Sequence, residues 1–96
     1  MYKILLVEDD MALHYVYKKM KIWSENDFCI RKIASNGKEA LEMLENDEFD
    51  MVVTDIRMPV LDGIGLLKKM SEKKIDIYTI ILSSYDEFEY ARQAMI

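Results

Sequence analysis

The chain has 96 residues and a formal net charge of −5, with 51% hydrophobic and 32% charged residues. That composition fits one globular domain over residues 1–96, not a disordered tract, and its negative balance argues against a nonspecific grip on nucleic acid or an anionic membrane. A lone cysteine, Cys29, leaves no internal disulfide or zinc cluster, and no apolar run reaches the ~18 residues of a membrane span, so a reducing cytoplasm is expected.

Taken in chain order, short apolar runs alternate with helix-like segments. Lys3 to Val7 reads as a first strand, nearly continuous in Ile, Leu and Val, as strands covered on both faces are. Leu13, Val16, Tyr17, Met20 and Trp23 then fall on one helical face and predict a single first helix through Trp23. Phe28 to Ala34 carries Arg31 and Lys32 and suits an edge strand. Asn36 and Glu39 have capping-box spacing ahead of Ala40, Leu41 and Leu44, which predicts a second helix. Met51 to Thr54 is a third strand, followed by a helix capped by Asp62 with Leu66, Leu67 and Met70 inward. Tyr78 to Leu82 is a fourth strand, and Asp86 caps a last helix with Phe88, Ala91 and Met95 as its apolar stripe.

Strand–helix alternation with short connections predicts right-handed crossovers and an α/β doubly wound parallel sheet with helices on both faces. In such sheets ligands bind beyond the carboxyl ends of the strands, where the polar residues of this chain collect. Glu8, Asp9 and Asp10 follow the first strand, Asp55 ends the third, and Ser83 and Ser84 end the fourth. Taken alone, an acidic run before a helix is ordinary N-terminal charge favoured by the helix dipole. Matched by Asp55 after a neighbouring buried strand, it points instead to a hard divalent cation. Mg²⁺ prefers oxygen donors and takes one or two carboxylates, here Asp9 and Asp55, with the Arg57 backbone carbonyl and, through water, Glu8 as additions. Asp55 could then act as a nucleophile toward phosphorus, giving an acyl phosphate. Ser83 could donate its hydroxyl to a phosphoryl oxygen, or be a plain loop serine; spacing alone leaves both open.

The stretches Ile4-Leu5-Leu6-Val7-Glu8-Asp9-Asp10, Asp55-Ile56-Arg57-Met58-Pro59 with Asp62-Gly63, and Ile81-Leu82-Ser83, in this order and spacing, resemble the response-regulator receiver (CheY-like) family. The resemblance runs from Lys3 to the last residue. It implies a flavodoxin-like sheet of order 2-1-3-4, with Asp55 as phosphoacceptor and Asp9 as direct Mg²⁺ ligand. Glu8 takes the neighbouring acidic position, Arg57 the backbone-carbonyl ligand, and Ser83 the switch hydroxyl that contacts the phosphoryl group. It also implies a sensor histidine kinase as donor and partner, docking at the first helix, whose exposed side includes His14 and Lys18. His14 itself is read as a surface residue that nothing orients. The segment from Leu82 to Ala91 resembles receivers joined to AraC-type helix-turn-helix outputs, which would give transcription control and DNA contact through an output domain absent from these residues.

Measured against that family, the chain stops short of a fifth strand and fifth helix, and no lysine follows Lys74 to fill the place of the family's phosphoryl-pairing lysine. A C-terminally incomplete receiver is therefore expected. Its fourth strand would be open at the edge, with a homodimer or edge-strand oligomer as possible consequences. Two other function classes bear on the reading. Aspartate-nucleophile phosphatases of the haloacid-dehalogenase type need a second aspartate two residues after the nucleophile, where this chain has Arg57, so an enzyme is not expected. A phosphorylation-incompetent receiver-fold interaction or assembly module is the remaining alternative, since fold alone does not fix function.

Overall fold

The apolar runs pair in parallel, and the strands bury side chains on both faces. A computed structural model describes residues 1–82 together with 89, 92 and 93. β1 (Tyr2–Val7), β2 (Phe28–Ala34), β3 (Met51–Asp55) and β4 (Tyr78–Leu82) form one sheet in the order β2-β1-β3-β4, the order that the family resemblance implies. Each neighbouring pair is parallel. The two central strands carry Ile4, Leu5, Leu6, Val7, Val52 and Val53, all withdrawn from solvent.

Side chains alternate between two layers, following the period of two along a strand. Leu5, Val7 and Val52 pack with Ala40, Leu66 and Met70 from α3 (Gly37–Asn46) and α4 (Gly63–Glu72). Ile4, Leu6, Met51 and Val53 face the other layer, where Tyr17 and Trp23 pack. The predicted caps are in place: the Asn36 side chain accepts the Glu39 N–H at 2.8 Å, and Asp62 accepts the Gly65 N–H at 2.8 Å. Each cap satisfies a donor that its helix leaves orphaned. The box at α3 is modified, because the Glu39 carboxylate reaches the Ser35 N–H at 3.3 Å.

One predicted element is corrected. The single helix through Trp23 is two pieces, α1 (Met11–Lys19) and a short α2 (Ile22–Glu25). Met20 is extended, with ψ 122°, and ends α1. The Tyr17 carbonyl, which a continued helix would offer to Lys21, accepts instead from the Trp23 indole N–H at 2.7 Å and the Met20 N–H at 3.2 Å. Of the predicted inward stripe, Tyr17 and Trp23 reach the core while Leu13, Val16 and Met20 remain exposed.

Among the described residues β2 and β4 are the outer strands, β2 as its charged residues predict. In β2 the register passes over Arg31, with Ile4 opposite Ile30 and Leu5 opposite Lys32. This bulge lets both Arg31 and Lys32 reach Asp47, at 3.3 Å each. The Glu48 N–H, then Lys32 and Arg31, hold the Asp47 carboxyl below the ordinary carboxylate range. In β4, Tyr78 stays 82% exposed. The predicted helix from Asp86 through Phe88, Ala91 and Met95 lies outside the described residues.

Candidate functional site

Two strand ends meet at the carboxyl edge of the sheet. β1 and β3 are adjacent, with Val7 opposite Thr54, so the residues that follow each strand come out side by side. Glu8 leaves β1 and is anchored by its N–H on the Ala34 carbonyl at 2.9 Å. Asp55 closes β3; its Oδ1 accepts the Ile56 N–H at 2.8 Å, which orients the carboxyl group. The carboxylates of Glu8, Asp9 and Asp55 each bring an oxygen within 4.8 Å of the others.

The three acids sit in different surroundings. Asp9 is exposed, Asp55 half-buried, and Glu8 only 3% exposed. Burial raises the Glu8 carboxyl above its ordinary value; the Asp10 N–H opposes this at 3.2 Å, and the neighbouring Asp9 and Asp55 add to it. The same field, after burial, pushes the Tyr17 phenol upward through Glu8 and Asp55. An all-oxygen donor set in which one carboxyl resists ionisation is the arrangement that a hard cation relieves.

The acidic run divides between two tasks. Asp10 turns away from the trio and caps α1, its Oδ1 accepting the Ala12 N–H at 2.9 Å. For this residue the ordinary helix-end reading of the sequence holds. His14, expected as an unoriented surface residue, is corrected: it is half-buried, and its Nε2 hydrogen-bonds the Glu8 backbone carbonyl. Spacing gave no signal for that contact, because it depends on how α1 folds back over the end of β1. Arg57 is exposed two residues beyond Asp55, and Ser83 lies outside the described residues.

The segment after Asp55 returns tightly to the strand. Gly63 donates its N–H to the Ile56 carbonyl at 2.7 Å, and a Cβ there would stand 2.3 Å from the Asp55 carbonyl oxygen. Only glycine allows α4 to begin so close to the end of β3. The Asp-Gly pair at 62–63 thus joins a helix cap to a close approach.

This geometry coincides with a family match. The family model of the response regulator receiver domain matches residues 4–96. The chain belongs to the receiver-domain family. Among curated relatives, a response regulatory protein of Staphylococcus epidermidis is 38% identical over 92 residues, covering 96% of this chain and 36% of that protein. The transcriptional regulatory protein YesN of Bacillus subtilis is 37% identical over 95 residues, covering 99% of this chain and 26% of its own length. The chain thus spans about a third or less of these relatives. Among solved structures, the receiver domain of AraT, a response regulator from Geobacillus stearothermophilus, superposes with a TM-score of 0.83 at 31% identity, covering 98% of this chain and 73% of that one. A DNA-binding response regulator of the LuxR family from Staphylococcus aureus gives a TM-score of 0.80 at 26% identity, covering 97% and 79%. The receiver fold is therefore shared with these structures, and the acidic trio lies at the sheet edge where open α/β folds bind ligands.

Proposed function

We propose that this receiver domain is a phosphorylation-controlled switch that takes a phosphoryl group on Asp55 from a phosphohistidine of a sensor kinase. The convergence of Glu8, Asp9 and Asp55 carries the reading. Glu8, Asp9, Asp55 and the Arg57 carbonyl would hold Mg²⁺. When bound, Mg²⁺ neutralises charge on the equatorial phosphoryl oxygens.

Asp55 attacks phosphorus in line: an O–P bond forms at its carboxylate as the N–P bond of the donor breaks, and the imidazole leaves with its electron pair. The Ile56 N–H keeps the Asp55 carboxyl in a single orientation during the approach. Buried Glu8 supplies negative charge whose cost the cation offsets. The hydroxyl of Ser83 is assigned to contact the phosphoryl group and to signal its arrival. The domain acts as a switch and not as an enzyme, since Arg57 occupies the place where an aspartyl phosphatase needs its acid–base carboxyl.

Relatives described as transcriptional regulators support an output on gene expression; that this output is a DNA-binding domain of the AraC type rests on the resemblance of the segment from Leu82 to Ala91. Location in the cytoplasm agrees with this role, and no helix among the described residues is long and apolar enough to cross a membrane.

The test is incubation with acetyl phosphate and Mg²⁺, read by intact mass. A gain of one phosphoryl group that is lost in Asp55→Asn supports the switch. No gain in either chain would favour a receiver-fold interaction module instead.

A further inference from the structure

The turn after Asp55 is held by a residue from another part of the chain. Leu61 donates its N–H to the Pro59 carbonyl at 2.8 Å across Val60, whose φ is 70°. Residues 59–61 thus form a γ-turn of the rare positive-φ kind. A β-branched residue in that region is strained, and such strain persists only where the surroundings over-determine it.

Two contacts do so. On one side Gly63 is tied to the Ile56 carbonyl, as described above. On the other, Gly37, the first residue of α3, donates its N–H to the Leu61 carbonyl at 2.9 Å. A Cβ on residue 37 would stand 2.4 Å from that carbonyl oxygen and 3.0 Å from both the carbonyl carbon and the Cβ of Leu61. The two nearest of those atoms are backbone, so the turn itself would have to move. The Gly37 N–H has no acceptor within its own helix, and the fold directs it at this turn.

We propose that Gly37 is a positioning residue for the acidic site: its hydrogen bond and its missing side chain fix where the 57–62 turn lies, and with it the carbonyl of Arg57, two residues after Asp55. The inference rests on the reading above for the role of that carbonyl. Gly37 acts through Leu61.

Mg²⁺ affinity of the chain, measured by isothermal titration calorimetry beside a melting curve, tests it. Gly37→Ala is expected to weaken Mg²⁺ about tenfold, the low end for groups that orient metal ligands. Asn36→Ala, which removes the α3 cap, is expected to lower the melting temperature and leave Mg²⁺ affinity unchanged. A Gly37→Ala chain that melts lower yet binds Mg²⁺ like the parent makes Gly37 a packing residue and overturns the proposal. Should Gly37→Ala fail to fold, the parent decides by NMR. The Gly37 amide resonance is expected to shift along the same Mg²⁺ titration curve as the Asp55 amide, and a stationary Gly37 resonance overturns the proposal. Because these readouts need no phosphodonor, intact Mg²⁺ binding without phosphorylation contradicts the phosphoacceptor reading and not the role of Gly37. A parent chain that takes up no Mg²⁺ overturns both.

Discussion

At the scale of single residues, Glu8 decides how the site responds to pH. Burial, helped by Asp9 and Asp55, raises its folded pKa above the value of an unfolded glutamate. The native state therefore holds this proton more tightly than the unfolded state. The stabilisation from protonated Glu8 is complete below the unfolded pKa of about 4.5 and is lost as pH rises through the folded pKa. Glu8→Gln keeps an oxygen for the Asp10 N–H and removes the charge. In chelator at neutral pH the variant is expected to melt higher than the parent, with the difference closing toward pH 4.5. Melting curves across pH check this, and a variant that melts lower at neutral pH would contradict the raised pKa. Val60 offers a second test. It is 77% exposed and strained at φ 70°, so Val60→Asn, which tolerates that conformation, is expected to gain about 1 kcal/mol in chemical denaturation.

At the scale of elements, the caps set where helices begin and can be removed one by one. Asn36→Ala leaves the Glu39 N–H without its side-chain acceptor and should cost about 1 kcal/mol of unfolding free energy in urea. This cap and the Asp62 cap were legible because each follows from local residue chemistry, a short polar side chain before an apolar run; the buried strands were legible as double-sided Ile, Leu and Val runs, while their order came from the family resemblance. The acidic site was legible for a related reason, since Glu8 and Asp9 come straight after one buried strand, Asp55 closes another, and the topology does the rest. The break at Met20 was not legible. No Gly or Pro lies between Lys19 and Ile22, and the helical period continues unbroken to Trp23. What ends α1 is a tertiary hydrogen bond, the Trp23 indole on the Tyr17 carbonyl, which periodicity cannot register. His14 on Glu8 and Gly37 on Leu61 escaped for the same reason, being contacts between elements.

At the scale of the whole molecule, the sheet brings residues from positions 8, 9 and 55 into one charged cluster within a chain of net charge −5. A cation bound there favours the folded state by mass action, adding about 2.7 kcal/mol at a hundred times its dissociation constant. Mg²⁺ is accordingly expected to raise the melting temperature of the parent, and Asp9→Asn to remove most of that rise. An equal rise in both chains would place the ion elsewhere.

The phosphoacceptor assignment has one most direct measurement. After incubation with acetyl phosphate and Mg²⁺, borohydride reduces an acyl phosphate to an alcohol, and peptide mass mapping locates the changed side chain. The expected result is a single reduced site at Asp55 that disappears when a chelator replaces Mg²⁺. Reduction at another carboxylate, or an undiminished yield at Asp55 in chelator, would contradict the account.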